Sequence, residues 1–394
     1  MKSHLIKFYA LVLLCGVSFA QPKDTIYGKI KSIREQLFFL DENIQNRKLF
    51  GTEGDYGHYG FMSEKFTKVR FNNWWYDTYW VHYLNYYKEY DKNNRPLKVA
   101  WYNKDQSILK SSENQYASDG KLINQKLNTY QESNVILKYN KKNNLISQRI
   151  VNQDKTYSTK KYKYNRNNQI IKYKEFNSRY PKEVHKKEYS YNIYGDTIEV
   201  KYFNEYGPNY GYKYEYDSKR RKIKTLNHSP FIWDVTPQIS TQKRIKNGID
   251  YLRWENKYDE KDRIIESKFY VENTGKVSLH QREEKIYELD LLKHVYVYNE
   301  KDSLSHYKKF EYDSLNRKTK ESHFYQKFPE DNMVLEYQYK ETLYPIKLTY
   351  TINNTSTVVD FEYVFDQKNN WIEQTKSVNG QKLYIWRRNL EYFN

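Results

Sequence analysis

Along most of the chain, aromatic and polar residues alternate one for one. Tyr162-Lys163-Tyr164, Tyr189-Ser190-Tyr191, Tyr214-Glu215-Tyr216, Phe310-Glu311-Tyr312 and Phe361-Glu362-Tyr363-Val364-Phe365 show it, as does Ile198-Glu199-Val200-Lys201-Tyr202. Successive residues of a strand face opposite sides of a sheet. A period of two therefore predicts short strands with rings on one face and Lys, Glu and Ser on the other.

A recurring phrase punctuates these strands: aromatic, Asp or Asn, two polar residues, a turn residue, another polar residue, then aliphatic. Tyr139-Asn140-Lys141-Lys142-Asn143-Asn144-Leu145-Ile146 and Tyr164-Asn165-Arg166-Asn167-Asn168-Gln169-Ile170-Ile171 are clear copies. Others open at Tyr90, Tyr116, Tyr191, Tyr216, Tyr258, Tyr298, Tyr312, Tyr339 and Phe365, eleven in all. Most are 23 to 27 residues apart, with long gaps after Tyr216 and Tyr258 and a short one between Tyr298 and Tyr312. Four residues after each aromatic stand Asn94, Gly120, Asn143, Asn168, Gly195, Arg220, Asp262, Asp302, Asn316, Leu343 and Asn369. Nine of the eleven are Gly, Asn or Asp, the residues that tolerate a left-handed backbone. An Asp or Asn at the start of a turn also bonds the backbone two residues on. The phrase thus predicts a hairpin loop of about four residues, a type I turn closed by a left-handed residue. The fold expected is all-β: some twenty antiparallel strands in repeated hairpins, forming a long curled or spiral sheet.

Composition sharpens this picture. Counting Gly and leaving out the 44 Tyr, about 30% of the chain is apolar, where globular chains run at about 45–50%. A conventional aliphatic core is not expected. Cross-strand ring pairs contribute roughly 0.2–1 kcal/mol each, and Tyr buries its ring while keeping its hydroxyl wet. A tyrosine ladder is expected to take the core's place, with Lys on the outer face discouraging edge-to-edge association.

The repeated Tyr-Asp-x-x-(Asn/Gly)-(Arg/Asn)-aliphatic phrase resembles the RHS/YD repeat of bacterial shell-forming toxins and teneurins. The closing segment, with Asn370-Trp371-Ile372 and Arg387-Arg388-Asn389-Leu390-Glu391-Tyr392, looks like the last repeats of small exported bacterial YD-repeat proteins. Tyr27-Gly28-Lys29-Ile30-Lys31-Ser32-Ile33-Arg34-Glu35 looks like their opening. The resemblance covers about Tyr87 to the end and implies an extracytoplasmic β-repeat scaffold. No toxin domain or autoproteolytic segment is carried over, and the chain is too short for a full cocoon.

Residues 1–20 read as a cleavable leader: Lys2 and Lys7, the apolar run Phe8–Val17, then Ser18-Phe19-Ala20. Cys15, the sole cysteine, follows Leu14 where a lipoprotein signal wants a small residue, so cleavage after Ala20 is the expectation. It leaves no thiol for disulfide, catalysis or metal, and no apolar run long enough to span a membrane as a helix. Residues 21–86 are expected to form an aromatic-rich cap, and 87–394 the hairpin array with an insertion near 227–250.

Candidate chemistry is sparse. Trp74, Trp75 and Trp80, with Asp77 accepting hydroxyl protons, form a candidate sugar-binding platform; the bland reading is a cap that plugs the sheet's first end. Gly51-Thr52-Glu53-Gly54-Asp55-Tyr56-Gly57 lacks the Gly-Lys-Ser/Thr ending of a phosphate loop and reads as an ordinary loop. The histidines show no metal-ligand spacing, so neither metal nor cofactor is expected. Asp77, Asp234 and Glu255 lie near Trp residues and are the first carboxylates to test for glycoside hydrolysis. No catalytic residue is assigned.

The net charge is +18, lowered by two when Lys2 and Lys7 leave with the leader. Such charge attracts polyanions. An exported chain meets acidic polysaccharide and envelope anions before nucleic acid, so no nucleic-acid partner is expected. An outer-membrane barrel would need an aliphatic lipid-facing band, and here the alternating apolar residue is mostly Tyr. The expected function is a non-catalytic, exported scaffold or binding protein of the cell envelope or exterior, periplasmic, cell-surface or secreted, with acidic glycans or surface components as partners. The alternative is a carbohydrate-active enzyme with carboxylates on one sheet face.

Overall fold

The computed structural model describes residues 26–40 and 85–394, apart from 104, 130, 205, 206, 237, 238 and 274. Trp74, Trp75, Asp77, Trp80 and the leader lie outside the described residues. The strands are β1 (Ile30–Phe39), β2 (Asn85–Tyr90), β3 (Pro96–Tyr102), β4 (Ile108–Tyr116), β5 (Leu122–Asn128) and β6 (Glu132–Tyr139). Next come β7 (Leu145–Asn152), β8 (Tyr157–Tyr164), β9 (Ile170–Asn177), β10 (Tyr180–Tyr191), β11 (Thr197–Asn204) and β12 (Gly207–Tyr216). The long pair β13 (Lys222–Thr236) and β14 (Ile239–Tyr258) precedes β15 (Ile264–Asn273), β16 (Lys276–Glu288), β17 (Leu291–Tyr298) and β18 (Leu304–Tyr312). The last are β19 (Lys318–Tyr325), β20 (Met333–Tyr339), β21 (Pro345–Ile352), β22 (Thr355–Phe365), β23 (Trp371–Val378) and β24 (Gln381–Tyr392).

Each strand pairs antiparallel with the next in the sequence, and β24 pairs back onto β1 from Tyr392↔Ile30 to Tyr384↔Phe39. The sheet is therefore a closed 24-stranded barrel, and the expected open, curled or spiral sheet is corrected. The closing strand comes from Ile30–Phe39, which lacks the tyrosine phrase and so gives no sign in the repeat pattern of where it pairs. At about 4.8 Å per strand the ring is roughly 115 Å round, too wide for side chains alone to fill.

The turns follow the phrase closely. Asn94 N–H donates to Asp91 O at 2.9 Å, and Asp91 Oδ1 accepts from the Asn93 and Arg95 backbone at 2.9 Å each. Asn94, Gly120, Asn143, Asn168, Gly195, Arg220, Asp262, Asp302, Asn316 and Asn369 all take a positive φ. Arg220 does so at +64° despite its bulk. The expected insertion at 227–250 is the extended hairpin β13–β14, which explains the long gap after Tyr216.

Turns that leave even-numbered strands all lie at one rim. The Asn299–Ser303 turn joins β17 to β18 and so lies at the opposite rim, one strand from the Tyr312 turn. That is why those two copies stand so close in sequence. Between β16 and β17 the phrase is replaced by a two-residue turn, Leu289-Asp290, with φ of 46° and 71°.

Burial alternates with the pleat. On β6, Ser133 and Val135 are buried while Glu132, Asn134, Ile136 and Lys138 are exposed. On β24, Tyr384, Trp386 and Arg388 are buried, with Arg387 and Asn389 exposed. Cross-strand register carries the tyrosines and most buried side chains onto one face, which is the inner one, because side chains converge inside a closed sheet. A compact core does exist, contrary to the composition argument, but only beside the seam. It gathers Ile33, Leu37, Trp101, Leu348, Val359 and Trp386, with others from β1–β3 and β20–β24. Around the remaining arc the inner-face rings carry the burial, as in Tyr162 against Tyr173 (5.5 Å between centroids) and Tyr202 against Tyr212 (6.0 Å).

Candidate anion-binding wall

The carboxylates singled out from the sequence do not come together in a site. Asp77 lies outside the described residues. Asp234 sits on β13, paired in register with Thr241, and Glu255 is on the outer face of β14, accepting the Tyr270 hydroxyl at 3.4 Å. Among the described residues no group of three His, Cys, Asp or Glu is placed to hold a metal ion. The inner-face acids are tied down. Glu35 accepts from Arg388, Trp386 and Tyr86, Glu175 from Tyr173, and Glu321 from His323 and Lys318.

The hydroxyl of the tyrosine that opens most of these turns has a specific role that alternation alone did not reveal; Tyr298 departs from it and donates to Glu284 Oε2 at 3.0 Å. Tyr139 Oη donates to Leu122 O (2.8 Å), Tyr164 to Leu145 O (2.7 Å), Tyr191 to Ile170 O (2.7 Å), and Tyr216 to Thr197 O (2.7 Å). The accepting carbonyl belongs to the first residue of the strand after the previous turn. That residue is in the last ladder pair before the turn, just beyond the register shift that the turn leaves. A buried carbonyl must find a donor, and a phenol at the end of the neighbouring strand supplies it. Burial raises the pKa of these phenols, pushing Tyr312 up to about 12.

A second device joins neighbouring turns. Asp217 and Arg221 pair at 2.7 Å within one turn, and the same guanidinium reaches Asp259 O (2.8 Å) in the next and lies 4.9 Å from the Tyr258 ring. Asp259–Arg263 and Asp313–Arg317 repeat it. The hydrogen bond from Arg95 likewise holds the Asp91 carboxyl below its ordinary range.

The outer face is a lattice of opposite charges over most of the ring. Lys98–Glu113 (3.3 Å), Lys126–Glu132 (3.1 Å), Lys257–Glu266 (2.8 Å) and Lys320–Glu336 (2.8 Å) are typical. Across β6–β9 this pattern stops. From Ser133 to Lys174 the chain has eleven Lys and Arg against one acid, Asp154, which pairs with Arg179 at the far rim. Lys138, Arg149, Lys161, Lys163 and Lys174 are exposed on the outer face. Among the described residues, no carboxylate lies within ion-pair distance of these five. Lys163 stands opposite Lys172, and Lys161 opposite Lys174, arrangements that destabilise a sheet.

Between these cations lies a hollow of about 320 Å³, lined by Lys138, Arg149, Lys161, Tyr157, Phe176 and the buried Thr159. The Arg149 guanidinium sits 3.8 Å from the Tyr157 ring centroid, and Tyr157 meets Phe176 edge-on at 6.3 Å. A second hollow of about 470 Å³ at the turn rim is lined by Tyr162, Tyr164 and Ile171 of the inner face together with Lys142 and Arg166 of the turns, and is separate from the outer wall. Both are free of acids. The signal was present in the sequence as the charge run from Lys138 to Lys174, which a reading focused on Trp and carboxylates passed over.

Neither a family model nor a curated protein matches this chain. Among solved structures, it is similar to the toxin assembly TcdB2-TccC3-Cdc42, at 10% identity and TM-score 0.18 over 74% of this chain. The chain spans about a fifth of the length of that toxin chain, 22%. It is also similar to a porin-like protein from Bacteroides uniformis, at 8% identity and TM-score 0.21, over 94% of this chain and 99% of that one.

Proposed function

We propose that this protein is a non-catalytic, exported β-barrel scaffold of the cell envelope or exterior that binds acidic polymers through the wall formed by β6–β9. The observation that carries the reading is the acid-free outer surface around Lys138, Arg149, Lys161, Lys163 and Lys174, in a protein that elsewhere neutralises its outer lysines with Glu. Like charges held opposite one another cost stability, and an anionic ligand offsets that cost. The half-buried rings of Tyr157 and Phe176 add surface for sugar C–H groups. Export is supported by the leader-like residues 1–20 and the shell-toxin resemblance of the repeats. A charged outer face also differs from the aliphatic band of a lipid-embedded barrel.

Titration against acidic and neutral polysaccharides at low and high salt tests the reading. Binding to acidic polymers that weakens with salt, without new reducing ends, is expected. New reducing ends or unsaturated products replace the proposal with a carbohydrate-active enzyme.

A further inference from the structure

We infer that the wall takes a linear acidic polysaccharide laid across the strands, one sugar per strand. This rests on the binding function proposed above and adds the ligand's class and direction. Two rows of side chains run perpendicular to the strands in unbroken register. The upper row is Lys138 on β6, Ser147 on β7, Lys161 on β8, Lys174 on β9 and Lys186 on β10. It ends at Phe203 on β11, with Lys186 Nζ 3.9 Å from the ring centroid. The lower row, one pleat away on the same face, is Ile136, Arg149, Thr159, Phe176 and Val184. Lysines on β6, β8, β9 and β10, with Ser147 between them on β7, thus border a shelf that mixes apolar and aromatic side chains with Arg149 and Thr159.

The shape selects the ligand. Adjacent strands are about 4.8 Å apart, close to the repeat of a pyranose chain. A glycan running along the rows places a ring over each strand, with carboxylates toward the lysines and C–H faces against Ile136 and Phe176. Arg149, already stacked on Tyr157, presents a planar fork suited to a carboxylate. Inorganic polyphosphate matches the upper row only and leaves the shelf uncovered. Lys186 and Lys172 both reach Glu188, at 2.7 and 3.2 Å, so the acid-free run ends at β10 and sets the length of the track.

The test uses the full chain and oligogalacturonides of graded length, with neutral oligoglucans and inorganic polyphosphate as comparators. Affinity should climb with length and level off near five sugars, the number of strands in the row. Lys174→Glu should weaken oligogalacturonide binding about tenfold, and Lys174→Ser should show a smaller loss in the same direction. Phe176→Ala should weaken the glycan several-fold and leave polyphosphate unchanged. Lys320→Glu, on the far side of the ring, should change neither. If acidic polymers bind but affinity ignores length, or if Phe176→Ala is silent while Lys174→Glu is not, this track is wrong and binding through the wall stands; if Lys174→Glu is silent as well, the wall is not the binding site and both fall. Tighter binding of polyphosphate that ignores Phe176→Ala also overturns the track. Failure of every acidic polymer to bind overturns both.

Discussion

Glu35 on β1 and Arg388 on β24 form an ion pair at 2.9 Å with both side chains almost wholly withdrawn from solvent. Trp386 Nε1 donates to the second carboxylate oxygen at 3.0 Å, and Tyr86 Oη on β2 donates to the first at 3.0 Å. The guanidinium also lies 3.7 Å from the Trp371 ring centroid. One carboxylate therefore ties the closing strand to both its neighbours. Removing one partner of a buried pair costs about 3–5 kcal/mol, because the other charge stays buried. Glu35→Gln should lower the denaturation midpoint accordingly, and Glu35→Leu with Arg388→Met should recover much of the loss. A Glu35→Gln protein as stable as its parent would refute this account of the seam.

The phenol-to-carbonyl bonds at the turn rim predict a specific cost for losing one oxygen atom. Tyr191→Phe keeps the ring but leaves Ile170 O without its donor, so a loss of about 1–2 kcal/mol is expected in urea unfolding. Phe365 supplies a natural comparison. It has no hydroxyl, and Tyr363 donates to Pro345 O at 3.3 Å in its stead. Phe365→Tyr should therefore gain little.

Alkaline pH should act on the same bonds. The Tyr312 phenol, pushed up to about 12 by burial, is favoured in its neutral form in the folded state. Its contribution is complete below pH 10, the ordinary phenol value, and is lost as pH rises toward 12. Tyr312→Phe should flatten that part of the stability profile, measured by thermal unfolding at stepped pH.

Glu321 on β19 predicts the opposite behaviour in acid. Burial opposes its ionisation, but the hydrogen bond from His323 and the charge of Lys318 outweigh it and hold the carboxyl at about 2. The depressed value means stability present above the ordinary carboxyl range and lost as pH falls from about 4.5 toward 2, up to about 3 kcal/mol. Glu321→Gln should remove that dependence. An unchanged acid unfolding curve would show the carboxylate contributes nothing.

Leu289 is 95% exposed and holds φ at +46°. Two other two-residue turns, Asn353-Asn354 and Asn379-Gly380, take this conformation with Asn and Gly. A leucine there is strained by roughly 1 kcal/mol with no burial in return. Leu289→Gly should raise stability by up to about that amount, whereas Asn168→Ala, at φ +61°, should lower it similarly.

Local rules made the turns and the two faces legible. The αL offset located Asn143, Asn168 and Gly195, and period-two alternation put Tyr162 and Tyr164 on one face. Closure was not legible, because it depends on β1 meeting β24 across 353 residues, Glu35 to Arg388, and no local pattern encodes so distant a register. The seam core was hidden for a related reason. Composition averages over the chain, whereas Ile33, Leu348, Val359 and Trp386 are concentrated in one sector. The role of the tyrosine hydroxyls was missed because ring stacking already explained the residue, and the carbonyl each one serves belongs to the previous unit.

Every strand but one finds its partner next door in the sequence, so the growing chain is a crescent with two bare edges. Bringing its tips together is secured by the nine register pairs of β1 with β24. Until that moment both edges are templates for any other strand. Completion of the ring and immunity to strand exchange are thus a single event, decided by ten residues near the start of the chain.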